Sequence, residues 1–447
     1  VEQRGSVVIN LDATLRVPVP ANLPRRLRPL GQPRQSMPPT TGTTWQGRSG
    51  QYVTQAQARA DGDRTVLQLA IPANLRPHVW MLPNPNRLVI DIRPDAMRPQ
   101  TIRWAEGLTW QQRWVQVGRK AFPASVLTVD PRQPGIQLRS LRSAMGQAEG
   151  ITPLVTLADS WNVAAAINGG FFNRNNQLPL GALRQDGRWQ SGPILNRGAI
   201  AWNDQGNFAL NRLTRQTTLT TDHGQTFPIV VENSGYVQAG IARYTPDWGR
   251  AYKTLTDTET IVILHHNQVT DQRTVNGVDQ AIAIPSDGEL LVLRSFATAA
   301  PALTPGTTVT LTSRTIPSQF DPYPQIMGAG PLLIQQGRVV VNGAQEQFSP
   351  SFNQQAASRS GIGVLPNGHL ILVAVHNRGT QRGPTLTEMA QLMRQLGATD
   401  ALNLDGGSST SLYLGGTLVD RAPPTAARIN NAIGIFVTPT AATNPAN

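Results

Sequence analysis

The chain has 447 residues, with 39% hydrophobic and 15% charged, 40 Gly and 35 Pro, no Cys, and a net charge of +12. That length suits about two to four domains. The glycine and proline content favours turns and short strands over long helices, and the lack of cysteine removes disulfides, thiolate zinc sites and cysteine nucleophiles. A coiled coil is excluded because no heptad run exists, and the longest apolar run, Leu370 to Val375, is strand-sized, so no helix of this sequence spans a membrane.

The first 44 residues read as a Pro/Arg-rich arm or linker. Seven prolines fall between residues 18 and 39, together with Arg25, Arg26, Arg28 and Arg34, and proline favours extended chain without backbone donors. Val7-Val8-Ile9 is the one apolar stretch of residues 1–16. A chain this basic can engage nucleic acid, anionic lipid or an acidic wall polymer. No helix-turn-helix, ribonucleoprotein or zinc-finger pattern supports nucleic acid, and none is expected as a partner. Val1 is not a start methionine. The expectation is a processed chain whose signal peptide has been removed, acting in the periplasm or outside a bacterial cell.

Residues 45–100 read as a small β-rich module, with strands at Thr65–Ile71 and Asn86–Ile92. Its NRLVIDI segment resembles the AMIN-type β-modules of bacterial envelope proteins. Residues 101–438 read as one large α+β unit of mixed and antiparallel sheets with few helices, and 439–447 as a tail. Residues 205–320 are rich in Thr, Val and Ile and predict many short strands. The spacing of Leu386, Met389, Ala390, Met393 and Leu396 predicts a helix. Thr385 and Glu388 form its capping box, and Gly397 its C-terminal stop.

Four glycine-bearing clusters carry the candidate chemistry. In AAAINGGFF an apolar strand runs into Asn168, Gly169 and Gly170, where successive glycines let backbone N–H groups approach a ligand; a tight turn accounts for the same residues. GAGPLLIQQG reads as a glycine loop, a buried strand and a turn at Gln336-Gly337. In RSGIGVLPNGHLILVAVHNR, Asn367-Gly368 predicts a two-residue hairpin turn. That register sets Arg359 opposite His376, with Cβ atoms about 5 Å apart, an arrangement that asks for an anion between two cationic groups or a neutral His376; a solvated arginine beside a capping histidine accounts for the same residues. In ALNLDGGSSTSLYLGG, Leu402 and Leu404 face one way and Asn403 and Asp405 the other. Asp405, Gly406, Gly407, Ser408 and Ser409 then make a strand-end rim, which an Asp-Gly turn also explains. His265 and His266, adjacent on a strand, are expected to point to opposite faces, so no shared metal site is expected there. No metal and no cofactor are expected.

In order, INGGFF, RSGIG, GPTLTEMAQLMRQLGATDALNLDGGSS and NAIGIFV resemble the phosphodiester glycosidase family over residues 101–438. The resemblance implies an α+β fold and hydrolysis of the bond between a sugar's anomeric carbon and a phosphodiester. By motif position it implies that Arg359, Arg378, Asn168, Gly169, Gly406, Gly407, Ser408 and Ser409 bind substrate or phosphate. It places Asp405 at the anomeric carbon. His376 stands where members often have the Asp of Asp-Gly-Arg, and with Glu388 it completes the candidate catalytic set. Glu388 has the helix cap as an alternative role. The residues suit this chemistry, since arginine binds phosphate oxygens bidentately and a carboxylate can face an oxocarbenium-like centre. The competing reading is a non-catalytic binding protein for anionic envelope glycans.

Overall fold

A computed structural model describes residues 97, 99–143, 148–377 and 382–438, together with seven strands between residues 2 and 94. The apolar run at 370–375 shows how the large unit is built. Every residue of the strand Leu370–Val375 is buried. Leu370, Leu372 and Ala374 enter one apolar core, while Ile371, Val373 and Val375 enter another. A strand whose side chains alternate can do this only in a sheet covered on both faces.

That sheet has eight strands among the described residues, in the order 338–339, 332–335, 400–403, 359–364, 370–375, 120–129, 108–117 and 100–105. The amphipathic helix Leu386–Gln395 covers one face through Leu386, Met389, Ala390, Leu392 and Met393. Its predicted capping box is present. At its other end the Gly397 N–H donates to Arg394 O and the Ala398 N–H to Met393 O, with Gly397 at φ +94°. This is a Schellman stop with Met393 and Ala398 in apolar proximity. The opposite face packs on two five-stranded sheets that supply Ile167, Ile200, Trp202, Leu412 and Ile433.

Residues 214–316 form a seven-stranded sheet, antiparallel except for the parallel pair Thr226–Glu232 and Gly240–Tyr244. This matches the expectation of many short strands. With three α-helices among the described residues, the fold class is the α+β, strand-dominated one expected.

The chain divides into two units, one of 1–98 with 377–382 and the other of 99–376 with 383–447. In the first, Ser6–Leu11 pairs antiparallel with Arg64–Ala70, which pairs with Gln55–Asp61. The Val7-Val8-Ile9 stretch, set with the proline-rich arm by sequence, therefore belongs to the same sheet as the strands beyond residue 44. Arg87–Pro94, the NRLVIDI strand, pairs with Leu75–Leu82. The proline-rich run at 18–39, Arg378 and the tail at 439–447 lie outside the described residues.

Candidate active site

Two strands of the eight-stranded sheet and one strand of a neighbouring sheet end close together. They are Arg359–Val364, Asp400–Asn403 and Ala165–Asn168. The Asp405 N–H donates to Gly169 O at 2.9 Å, the Leu404 N–H to Ser360 O at 2.9 Å, and the Gly407 N–H to Ser358 O at 2.7 Å. Asn168, fully buried, ties the three together. Its Nδ2 donates to Asp405 O at 2.7 Å, and its Oδ1 accepts from Ser360 Oγ at 2.6 Å and Ser411 N at 3.1 Å. These bonds all run to the protein, so Asn168 positions the rim.

The glycines serve close approach. A Cβ on Gly169 would lie 2.3 Å from Asn431 Oδ1, the oxygen that accepts from the Gly170 N–H at 2.7 Å. A Cβ on Gly406 would lie 2.8 Å from Ser358 O. Gly407 sits at φ +63°, a conformation that favours glycine.

Asp405 is half-buried, and its Oδ1 accepts from the Gly406 N–H at 2.9 Å. Burial pushes its carboxyl up to about 6; the Ser409 hydroxyl, the Gly406 N–H, Arg174 and Arg359 oppose that rise. The Thr410 Oγ1 is buried without a hydrogen-bond partner.

Arg359 is 1% exposed. Its Nη2 donates to Gln355 O at 2.6 Å, its Nε donates to Pro384 O at 3.4 Å, and its guanidinium lies 5.1 Å from the Phe352 ring centre. Burial lowers its pKa to about 10, opposed by the charge of Asp405, so the group stays cationic at neutral pH. Among the described residues no carboxylate comes within 4.0 Å of it. A buried cation without a paired anion is costly unless a ligand supplies the charge. Behind it stands an aromatic wall. Phe348 and Phe352 stack at 4.7 Å, Phe171 meets both edge-on, and Arg197 lies 4.2 Å from the Phe348 ring centre.

The remaining candidates fall elsewhere. The hairpin at 364–370 is not the two-residue turn expected. Val364 pairs with Leu370, and the Gly368 N–H donates to Leu365 O at 2.9 Å with Gly368 at φ +81°. Pro366 fixes a type I turn, and Gly368 follows as the left-handed residue of a three-residue loop. The register therefore moves by one residue, and Arg359 opposes Val375 instead of His376.

A slip of one residue reverses the face. His376 pairs instead with Ser358, its Nδ1 3.3 Å from Ser358 Oγ and its Nε2 2.6 Å from Asp420 Oδ2. Asp420 is fully buried and also accepts from the Leu412 N–H. Strand alternation places Arg359 with the helix-side core and His376 with the opposite core, so the expected Arg–His anion clamp is absent.

Glu388 accepts from the Thr385 N–H at 2.9 Å and pairs with Lys120 Nζ at 2.8 Å, an arrangement that lowers its pKa despite partial burial. It is a helix cap with a salt bridge. Ser408 is exposed, and its carbonyl accepts from Arg421 and from the Ala427 N–H. His265 and His266 correct a second expectation. His266 leaves the strand at φ +48°, and both rings turn toward Asp287, with His265 Nδ1 at 2.9 Å and His266 Nδ1 at 3.6 Å.

Sequence reasoning missed Arg174, an exposed residue whose charge acts on Asp405, and Phe352 beneath Arg359. The one available cue for Arg174 was a cation in the loop leaving the glycine pair. The site is thus a rim of strand ends with one protonatable acid whose ionisation two guanidiniums, Arg174 and Arg359, favour.

Comparison with known proteins agrees with this description. Residues 258–436, less than half of the chain, match the family described as phosphodiester glycosidase. Arg359 and Asp405 lie inside the matched stretch; Asn168 and Arg174 precede it. The chain is 34% identical over 125 residues to N-acetylglucosamine-1-phosphodiester α-N-acetylglucosaminidase of Mus musculus, which is 25% of this chain and 24% of that protein. The Homo sapiens protein of the same name is 32% identical over 124 residues, also 24% of its length. The chain thus spans about a quarter of the curated relatives it matches. A crystal structure of a hypothetical protein from Synechocystis is 46% identical with a TM-score of 0.78, covering 90% of this chain and 82% of that one. A protein from Burkholderia pseudomallei shares the fold at 19% identity and a TM-score of 0.56, covering 83% of each chain.

Proposed function

We propose that the protein is a hydrolase that cleaves the bond between the anomeric carbon of an N-acetylglucosamine-like sugar and a phosphodiester. The observation that carries this reading is the buried, carboxylate-free Arg359 guanidinium beside an Asp405 whose pKa is raised to about 6. A sugar-1-phosphodiester brings one negative charge, which Arg359 neutralises, with Arg174 at the exposed side. The C1–O bond breaks, and its electron pair leaves on the phosphate oxygen. That phosphate monoester is a good leaving group, so demand for a separate general acid is low. Asp405 meets the positive charge developing at C1, either directly as nucleophile or by taking a proton from the attacking water. Ser409 and Thr410 offer hydroxyls to the sugar or phosphate.

The substrate setting belongs to the same proposal, a bacterial envelope or extracellular polymer reached in the periplasm or outside the cell. The basic N-terminal residues and the AMIN-like pattern of 45–100 support it. No helix of the described residues is long and apolar enough to cross a membrane, and no cluster of potential metal ligands occurs among them. The test is hydrolysis of UDP-N-acetylglucosamine and a panel of p-nitrophenyl sugar-1-phosphodiesters. Release of free sugar by the wild type, lost in Arg359→Ala, supports the proposal. Binding without release by the wild type refutes it in favour of a glycan-binding protein.

A further inference from the structure

Four elements of the large unit meet around a groove of about 400 Å³ lined by Arg142, Trp161, Gln185, Asp186, Arg188, Gln190, Pro246 and Asp247. None of these residues belongs to the site described above. Arg142 ends the strand Ile136–Arg142, Trp161 caps the helix Leu154–Ser160, and Gln185, Arg188 and Gln190 come from the hairpin 183–191. Within that hairpin Gln185 pairs with Arg188. Arg188 and Gln190 share a face by strand alternation. Pro246 and Asp247 follow the strand Gly240–Tyr244.

The polar groups of the groove fall into two sets. One set is internally matched. Arg188 Nε lies 2.7 Å from Asp247 Oδ1, Asp186 is 3.6 Å from Arg139, and Arg142 Nη1 donates to Asp247 O at 3.2 Å. Two arginines and two aspartates line the groove, so its charge is balanced and it holds no surplus for an anion.

The other set is unspent. Gln190 is 5% exposed, and its Oε1 has no hydrogen-bond partner; Arg142 Nε is likewise buried and unpartnered. Such groups are rare in native proteins and ask for a complement. Here one is an acceptor and the other a donor. A sugar hydroxyl is both at once and brings no charge, whereas phosphate brings negative charge that this balanced groove does not offset. Trp161 adds an apolar face. Its ring is half-buried, and its Nε1 donates to Arg142 O at 3.1 Å, which fixes its orientation at the groove. An aromatic face with a few convergent polar groups, in a volume within the range of ligand sites, is the composition of a small-molecule site.

We propose that this groove is a second carbohydrate-binding site that takes a neutral sugar unit, distinct from the anion-binding active site. Both buried atoms reach a ligand through a side-chain shift: a turn of the Gln190 amide presents its oxygen to a ligand hydroxyl, a tilt of the Arg142 guanidinium presents Nε to a sugar oxygen, and the Trp161 ring packs against the sugar's C–H face. Its role is to hold a glycan by a residue that carries no phosphate.

The experiment is ligand-observed NMR on the full chain with three neutral disaccharides, N,N′-diacetylchitobiose, cellobiose and maltose, and with inorganic phosphate as the charged control. The expected result is binding of at least one disaccharide with a Kd of roughly 1 mM. Trp161→Ala should weaken it at least about tenfold. Gln190→Leu, which removes the unpartnered acceptor at similar volume, should weaken it by about threefold or more. Phosphate should not compete, and turnover of a soluble sugar-1-phosphodiester should be unchanged in both variants. Three results would each overturn the proposal. They are no disaccharide bound up to about 10 mM, binding undiminished in both variants, or displacement by phosphate. Because the readout is binding at a groove without catalytic residues, failure here leaves the hydrolase reading standing, and failure of hydrolysis leaves this one.

Discussion

Asp405→Asn should abolish turnover and at the same time make the protein more stable at pH 8. The two effects have one cause. Burial lifts the Asp405 carboxyl from an ordinary 3.8 to about 6, so the ionised form is disfavoured in the folded state. That difference corresponds to about 3 kcal/mol by linkage, reduced to about 1–2 kcal/mol because the side chain is partly solvated.

The sign follows from the order of the two pKa values. Below 3.8 the carboxyl is neutral in both folded and unfolded chains, and no cost arises. As pH rises from 3.8 through about 6, the unfolded chain ionises first, and folding becomes progressively less favourable. Asparagine escapes that penalty, and its amide oxygen can still accept from the Gly406 N–H.

Thermal melts at pH 4 and pH 8 should therefore show the variant gaining about 2–4 °C at pH 8 and little at pH 4. Turnover of a sugar-1-phosphodiester at pH 7 should fall by roughly 10³-fold. In the wild type, kcat/KM should rise with pH through an apparent pKa near 6, as ionised Asp405 accumulates. A variant that melts lower at pH 8, or that keeps its activity, would refute the reasoning.

Other substitutions separate scaffold from chemistry. Arg359→Lys keeps the charge but loses the planar fork, and should raise KM for phosphodiesters at least about tenfold in steady-state kinetics. Glu388→Gln removes a capping-box acceptor and the Lys120 partner. It should lower stability by about 1 kcal/mol in urea titration while changing kcat less than about threefold; loss of all activity in a folded variant would restore Glu388 to the catalytic set. The Glu388 contribution is present above the ordinary carboxylate pKa and should fade as pH falls through its lowered folded value. Gly169→Ala forces a methyl group against Asn431 Oδ1 and should destabilise by about 2 kcal/mol or more, read as a lower Tm, because that oxygen already serves the Gly170 N–H.

The parts of this molecule legible in the sequence are those set by local rules. The helix Leu386–Gln395 has its periodicity, its capping box and its Gly397 stop within the thirteen residues from Thr385 to Gly397. The glycine pairs 169–170 and 406–407 mark where the strands Ala165–Asn168 and Asp400–Asn403 give way to loops. The hairpin at 364–370 shows where local rules mislead. Asn-Gly suggests a two-residue turn, yet that turn needs positive φ at both residues. Pro366, one position earlier, suits a type I turn, and only Gly368 takes the left-handed conformation. That single residue of slip moved His376 from the partner of Arg359 to the partner of Ser358 and Asp420.

The convergence of Arg174, Phe171, Phe352 and Arg359 was illegible for a different reason. It depends on loops brought together from positions nearly two hundred residues apart, and no period or spacing encodes that. The same holds for the groove at Gln190 and Trp161.

The most direct measurement is a structure of the protein with a non-hydrolysable sugar-1-phosphonate bound. The account expects a phosphonate oxygen in hydrogen-bond contact with the Arg359 guanidinium and the anomeric carbon facing the Asp405 carboxylate. A ligand seated away from both groups, or an Arg359 guanidinium that makes no contact with it in the complex, would contradict it.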